Sequence, residues 1–218
     1  MRWPHEEDFD AIINAAADRH GVPAALVRAT IASESQFNPS AWRPEPAIKD
    51  GSAGLMQILL GTAKGVGYGG SLGDRLQLTG LFAPATNIEY GTAYLATQYQ
   101  RAGGDISGTI SAYNGGWRPS IGFGARADHT MTITLARDTV TGKPIKTRVV
   151  QPGEFSNQPY VDAVLSNYAY FKDKEGASTG VTQFTRPLTP TGTVNPKLVG
   201  LLVGLLLALL GLRSRTRR

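Results

Sequence analysis

Apolar residues recur at every third or fourth position along most of the first 172 residues, which is the spacing of helices with one buried face. The spacing predicts a first helix over 5–20 and a second from residue 22 that Asn38-Pro39 stops. Further helices are predicted within 53–65 and over 84–102, 105–113 and 160–171.

Three stretches depart from the helical spacing. From residue 129 to Leu135 apolar and polar residues alternate, and after a turn around Thr141-Gly142-Lys143 residues 145–150 are rich in β-branched residues, so we expect a β-hairpin over 128–150. Three interpretations of this hairpin stay open: it extends one wall of the cleft, it contacts a partner, or it is a structural decoration. Residues 42–52 are rich in proline and polar residues and predict a loop, and the glycines of 65–73 predict another.

The last 46 residues have a different character. Residues 173–196 are rich in Gly, Thr, Ser and Pro and predict a flexible linker. Leu198 to Leu212 are fifteen apolar residues, about 22 Å of helix against a hydrocarbon core of about 30 Å. With flanking Lys197 and Arg213 extending outward, we expect 197–218 to be a transmembrane helix with a basic tail. A buried or oligomerising helix is the alternative.

Composition and charge narrow the class of protein. A chain of 218 residues with 41% hydrophobic content has room for one substantial domain and appendages. The net charge is +5, but five of the basic residues lie at 197–218, where there is no acid, and the first 196 residues hold 17 basic and 17 acidic residues. We therefore expect no nucleic-acid interface on the folded domain. The absence of cysteine excludes disulfides, and the acidic first ten residues do not resemble a secretory signal.

Glu34 is the leading candidate for chemistry. It lies three residues after Ile31 and seven after Val27, so its carboxylate is expected on or beside the apolar face of the second helix. A position in the last turn and partial desolvation would both raise its pKa, as a general acid for a glycosidic oxygen requires. An ordinary glutamate at a frayed helix end is the alternative.

Four sequence blocks, at 34–39, 54–58, 87–95 and 112–116, resemble in order and spacing the soluble lytic transglycosylase family. A weaker fifth block at 159–168 resembles the closing helix of these goose-lysozyme-like enzymes, which cleave the glycan of peptidoglycan. The resemblance implies a mainly α (α+β lysozyme-like) fold over 1–172 with the hairpin as an insertion. Leu60 stands where the family often has proline, a departure that touches no chemistry.

The resemblance also implies roles for seven residues. Glu34 would be the acid and Tyr113 would position it by a hydrogen bond. Gln57 and Asn114 would bind polar groups of the sugar, and Ser35 and Ser52 would add hydroxyl contacts. Met56 would line the cleft, with a place in the core as the alternative. Apart from the resemblance, the place of Asn87 near the start of the helix predicted over 84–102 indicates that it caps or braces that helix.

No second acid occupies a position in the matched blocks, and Asp50 and Asp74 fall in expected loops. Hydrolytic glycosidases usually need two carboxylates. In the family, the one acid protonates the leaving oxygen and then deprotonates the 6-hydroxyl, which closes a 1,6-anhydromuramic ring, so we expect no metal or cofactor.

The expected protein is a membrane-tethered lytic transglycosylase whose partners are peptidoglycan strands, the membrane and virion or envelope-complex proteins. Its domain would lie on the cell-wall side, and its architecture resembles virion-associated enzymes that bacteriophages use during genome delivery. Two alternatives are a hydrolase of the lysozyme or chitinase type and a non-catalytic membrane-anchored assembly protein.

Overall fold

The computed structural model describes residues 2–138 and 141–178. Its helices are α1 (Asp10–His20), α2 (Ala24–Glu34), α3 (Leu60–Gly65), α4 (Pro84–Arg101), α5 (Ile106–Gly115) and α6 (Gln158–Ser178). Its strands are β1 (Trp42–Glu45), β2 (Asp50–Ala53), β3 (Ile58–Leu59), β4 (Met131–Arg137) and β5 (Pro144–Val150). The described part of the chain is thus helix-rich with small antiparallel sheets, which fits the mainly α (α+β lysozyme-like) fold that the resemblance implied.

The described residues divide into two compact units. The first comprises residues 2–97 and 163–178, and the second comprises 98–138 and 141–162. The first holds Glu34 and the β1–β2–β3 sheet, and the second holds α5 and the β4–β5 hairpin.

In the first unit, α1 and α2 are in contact and are joined by a short turn. Gly21 ends α1 in the left-handed conformation, with φ of 67°, and donates its N–H to the Ala17 carbonyl. Ile13, Leu26 and Ile31 are completely buried, which confirms the apolar faces that the spacing predicted. The first helix nevertheless begins at Asp10, five residues later than expected.

The residues before α1 form an anchor that packs against α6. Trp3 stacks on Phe171 with a ring-centroid distance of 5.4 Å, and Phe37 lies 6.2 Å from Trp3 and 6.0 Å from Phe171. Glu6, with a fully buried side chain, accepts hydrogen bonds from the Lys174 ammonium at 2.8 Å and the Tyr170 hydroxyl at 3.1 Å. These contacts replace the first helical turns that the apolar spacing suggested.

Helix α2 ends at Glu34, four residues before the Asn38-Pro39 stop that the sequence suggested for the helix. Gln36 and Phe37 both adopt positive φ, 54° and 63°, which is uncommon for residues with side chains. The Phe37 ring is completely buried in the aromatic cluster with Trp3 and Phe171, so its burial stabilises the early turn.

The expectation of a loop over residues 42–52 is wrong, because β1 and β2 pair there in an antiparallel ladder. Pro44 is tolerated because β1 is an edge strand of the order β1–β2–β3. The Trp42 ring covers Gly51, where a Cβ would lie 2.0 Å from the indole. Four-residue strands carry too little alternation to be recognised from spacing, and a tryptophan–glycine contact across strands has no local signature.

In the second unit, the predicted hairpin is confirmed. Strands β4 and β5 pair from Met131↔Val150 to Arg137↔Pro144, with register shifts on either side of Ala136. At its base the Ala127 N–H donates to the Glu154 carbonyl at 2.8 Å. Val150 and Phe155 are buried there, so the base of the hairpin belongs to the core of this unit.

Helix α6 starts two residues before the predicted closing helix and continues to Ser178, seven residues beyond its predicted end. The first six residues of the predicted linker are therefore helical. Ion pairs explain the extension, because Lys174 binds Glu6 at 2.8 Å and Glu175 binds the buried Arg28 at 2.7 Å. The remainder of the predicted linker and the predicted membrane segment lie outside the described residues. Within the described ranges, no helix is both long and apolar enough to cross a membrane.

Candidate active site

Glu34 is the last residue of α2 and is half-buried. Ser35 follows as the C-cap, and its N–H and its hydroxyl both donate to the Ile31 carbonyl, at 3.0 and 3.2 Å. The predicted position of Glu34 in the last helical turn is confirmed. A carboxylate at this end lies near the negative end of the helix dipole, which disfavours a negative charge.

The neighbouring serine hydroxyls are held by the protein itself. The Ser35 hydroxyl donates to the Ile31 carbonyl of α2, and Ser33 Oγ accepts a hydrogen bond from Asn167 of α6 at 2.9 Å. Ser52 lies in β2 and is 4% exposed. The structure thus places Ser35 beside Glu34 in the chain, while Ser52 has little surface to offer a ligand.

Gln57 closes the turn between β2 and β3. It adopts φ of 45°, and its side-chain Nε2 donates to the Ala41 carbonyl at 3.1 Å and the Gly54 carbonyl at 2.9 Å. These bonds fix the amide, which is half-buried. Because the nitrogen is occupied by the backbone, any contact of Gln57 with a sugar falls to its side-chain oxygen.

Met56 and Asn87 form the buried support of that turn. Asn87 is completely buried, accepts from the Met56 N–H at 2.7 Å and donates to the Ala53 and Leu81 carbonyls, each at 2.8 Å. Asn87 therefore braces the start of α4 against this turn, which is one of the two roles, cap or brace, that the sequence predicted. Met56 is also completely buried, and the Thr92 hydroxyl lies 3.7 Å from its sulfur.

The predicted role of Met56 as a residue lining the cleft is therefore not supported, because its side chain has no exposed surface in this structure. Its sulfur lies against Gly91 of α4, where an added Cβ would be 2.4 Å away. The residue pattern of the Gly54-Leu-Met-Gln57 block therefore reflects packing in good part, because the missing side chain of Gly91 leaves room for that of Met56.

Tyr113 and Asn114 lie in the last turns of α5, in the second unit. The Asp105 side chain caps this helix by accepting from the Gly108 N–H at 2.7 Å, and Gly116 ends it at φ of 73°. Tyr113 is 7% exposed and Asn114 is exposed. The helix therefore presents the asparagine to solvent while most of the tyrosine ring is packed.

Two other carboxylates of the first unit, those of Asp50 and Asp74, bind the backbone. Asp50 accepts N–H groups from Gly51 at 2.7 Å, Leu60 at 3.2 Å and Gly61 at 2.9 Å, which caps the start of α3. Asp74 accepts from the Leu76 and Gln77 N–H groups at 2.7 and 3.2 Å. Both are occupied by local structure, in contrast to a catalytic base that must face a substrate.

Sequence reasoning missed two polar residues of the second unit that contact the Asn114 region. Asn157 Nδ2 donates to Asn114 Oδ1 at 3.0 Å, and Ser111 Oγ donates to Asn157 Oδ1 at 2.8 Å. Asn157 lies 43 residues after Asn114, and no periodic pattern links the two. Over residues 2–138 and 141–178, no group of three His, Cys, Asp or Glu side chains could hold a metal ion.

The sequence matches a family model described as the transglycosylase SLT domain over residues 11–129, a range that includes all seven predicted site residues. Membrane-bound lytic murein transglycosylase C of Edwardsiella ictaluri is 36% identical over 113 residues, covering 48% of this chain and 30% of that protein. Soluble lytic murein transglycosylase of Salmonella typhimurium is 40% identical over 115 residues, covering 52% of this chain and 18% of that protein.

Solved structures give the same likeness. An inactive glutamate-to-glutamine mutant of lytic transglycosylase Slt from Pseudomonas aeruginosa has a TM-score of 0.53 and 25% identity, over 81% of this chain and 25% of that chain. The 70 kDa soluble lytic transglycosylase from Escherichia coli has a TM-score of 0.54 and 26% identity, over 80% and 25%. The chain spans less than a third of the length of each of these proteins.

Proposed function

The chain belongs to the transglycosylase SLT domain family, and from that premise we propose that it cleaves the glycan of peptidoglycan as a lytic transglycosylase. The bond would be the β-1,4 link between N-acetylmuramic acid and N-acetylglucosamine. The named relatives are lytic murein transglycosylases, which supports this substrate class. The observation that carries the proposal is the half-buried Glu34 at the end of α2, in a unit where Asp50 and Asp74 are bound to the backbone.

One carboxylate is enough for the proposed reaction. Protonated Glu34 gives its proton to the glycosidic oxygen as the bond from that oxygen to C1 of the muramic sugar breaks. The N-acetyl group shields the developing cationic carbon. The Glu34 carboxylate then takes the proton of the 6-hydroxyl as O6 bonds to C1, so the residue ends protonated and water is not consumed.

The other proposed roles follow the family motif. Tyr113 would assist the acid, and Gln57 and Asn114 would bind polar groups of the sugar. Ser35 would add a hydroxyl contact, while the 4% exposure of Ser52 limits any contact that it makes. The burial of Met56 favours a supporting role, in which it fixes the turn that ends at Gln57.

The setting of the enzyme is a further part of the proposal. Leu198 to Leu212 would anchor it in a membrane with the folded domain on the cell-wall side, and a relative named as membrane-bound supports this arrangement. A place in a phage virion, with local opening of the cell wall during genome delivery, is suggested by the order of a compact domain, a linker and an apolar tail.

The isotopic composition of the products tests the reaction type. Peptidoglycan digested in H₂¹⁸O by the full-length chain should give 1,6-anhydromuramic ends without ¹⁸O. Reducing ends carrying ¹⁸O would identify a hydrolase instead. A folded chain that releases no fragments would favour the non-catalytic assembly protein.

A further inference from the structure

The end of α5 and the segment before α6 share a compact hydrogen-bond network inside the second unit. The Gly124 N–H donates to Ser111 Oγ at 3.1 Å, and Ser111 Oγ donates to Asn157 Oδ1 at 2.8 Å. Asn157 Nδ2 donates to the Ser111 carbonyl at 3.1 Å and to Asn114 Oδ1 at 3.0 Å. Asn157 thus bridges the helix that carries Asn114 and the start of α6.

The direction of these bonds follows from the groups at the two ends of the network. A backbone N–H can only donate, so Ser111 Oγ accepts from Gly124 and turns its own proton toward Asn157. A backbone carbonyl can only accept, so the atom of Asn157 that faces the Ser111 carbonyl must be nitrogen. Both constraints give Asn157 the same amide orientation.

Asn157 therefore donates its side-chain N–H to Asn114, and Asn114 must accept this bond through its side-chain oxygen. The Asn114 side-chain nitrogen is then the atom turned away from the network, on a residue that is exposed. From this geometry we infer that Asn157 is a positioning residue that fixes Asn114 as a hydrogen-bond donor toward the glycan. The inference rests on the proposed function, in which Asn114 binds the sugar.

A fixed donor selects the chemistry of the ligand group. A sugar hydroxyl both donates and accepts, so either orientation of the Asn114 amide would satisfy it. A carbonyl oxygen only accepts, so it requires the nitrogen. The ligand group that gains from the fixed orientation is the carbonyl oxygen of an N-acetyl group, present on both sugars of peptidoglycan.

Binding measurements on a turnover-deficient background test this assignment. The full-length chain carrying Glu34→Gln is titrated calorimetrically with a β-1,4-linked N-acetylglucosamine tetramer. Asn157→Asp offers Asn114 an acceptor in place of a donor and turns the amide nitrogen inward. We expect its Kd to rise about tenfold, the scale of one lost hydrogen bond.

A second variant separates recognition from folding. Asn114→Asp keeps the oxygen that accepts from Asn157 but removes the outward nitrogen, so Kd should rise about tenfold while the melting temperature stays unchanged. In an Asn114→Ala background, Asn157→Asp should add nothing further, because it acts through Asn114. Asn14→Asp is the matched control, since the exposed Asn14 uses only an oxygen, accepting from Arg28 at 2.8 Å.

The outcomes separate this inference from the proposed function. If the background binds the tetramer but Asn114→Asp binds as tightly, or if the Asn157→Asp effect persists without Asn114, the positioning role is wrong. If the folded background does not bind the tetramer at all, glycan binding fails and the inference fails with it. Equal weakening of binding by Asn114→Asp and by Asn157→Asp would establish the positioning role, provided that Asn157→Asp adds no further weakening in the Asn114→Ala background.

Discussion

Carboxylates of the first unit differ in what surrounds them, and the surroundings decide what each can do. Glu34 lies at the carbonyl end of α2, where the partial charge of the helix dipole is negative. Asp50 accepts three backbone N–H groups, from Gly51 and from the first two residues of α3. Glu34 is thus the proposed proton donor, whereas Asp50 is a structural cap.

Glu6 is a third kind of carboxylate, a buried anion held by the protein. Burial alone would raise its pKa, but hydrogen bonds from Lys174, from the Arg2 and Trp3 N–H groups and from Tyr170 together lower the pKa to about 2. Lys174 correspondingly has a raised pKa through its bonds to Glu6 and Glu7. The pair therefore stays ionised through the neutral range and ties the chain before α1 to α6.

Replacing Glu6 by Gln should lower the free energy of unfolding at pH 7 by on the order of 3 kcal/mol, from 1.36 kcal/mol per pKa unit. The folded-state pKa is below the ordinary value of 4.5, so this stability is present above pH 4.5 and is lost as the pH falls toward 2. Urea unfolding of both proteins should show the difference shrinking through that window.

Glu7→Gln is the matched control for that variant. Glu7 also binds Lys174, at 2.6 Å, but its side chain is 50% exposed, so its loss should cost no more than about 1 kcal/mol. Equal losses for the two variants, or a Glu6→Gln difference that does not change with pH, would contradict the assignment of the buried anchor.

At the scale of elements, α4 is built around a close contact between its own backbone and the β2–β3 turn. Gly91 faces Met56, whose sulfur and Cβ would lie 2.4 and 2.7 Å from an added methyl group. Alanine usually stabilises a helix relative to glycine by about 1 kcal/mol. At this position the clash opposes that gain.

We expect Gly91→Ala to be destabilising by about 1 to 3 kcal/mol, the usual range for overpacking. Gly176→Ala in α6 is the control, because nothing lies within 4 Å of its added Cβ, and it should be neutral or slightly stabilising. Thermal unfolding of the two variants measures both effects. A Gly91→Ala protein as stable as the wild type would show that the turn is not tightly packed on α4.

The elements that could be predicted from the sequence are those with a repeated signal. The 18-residue α4 and the two 7-residue strands of the hairpin were found because each repeats its pattern several times. Strands β1 and β2 were missed because each has only four residues, with Pro44 inside β1 and Gly51 inside β2, and therefore shows no period. The end of α6 was missed because ion pairs with distant residues, and not its own apolar face, continue it.

In the candidate site too, the residues that could be predicted are those whose signal is local in the sequence. Glu34 could be placed at a helix end from local spacing, since both its helix and its stop are near in sequence. Asn157 could not, because its contact with Asn114 joins residues 43 positions apart. For Met56 the sequence left open a place in the cleft or in the core, and its complete burial in the structure favours the core.

At the scale of the whole molecule, the proposed anchor and the folded units are separable in sequence. Helix α6 continues to Ser178, and Glu175 within it binds the buried Arg28. A truncation should therefore follow Ser178, because an earlier end would remove contacts of the first unit.

We expect the full-length chain to float with lipid vesicles in a density gradient and the chain of residues 1–178 to remain at the bottom. Both should release fragments from peptidoglycan, since the proposed site residues precede the cut. A full-length chain that does not associate with vesicles would contradict the anchor while leaving the proposed chemistry untouched.

The most direct test of the central claim compares digestion of purified peptidoglycan by the full-length wild type, Glu34→Gln and the control Glu7→Gln, with products identified by mass spectrometry. The account predicts fragments ending in 1,6-anhydromuramic acid from the wild type and the control, and none from a Glu34→Gln protein that melts at the wild-type temperature. Undiminished release by that folded variant would contradict the assignment of Glu34 as the acid and base of the reaction.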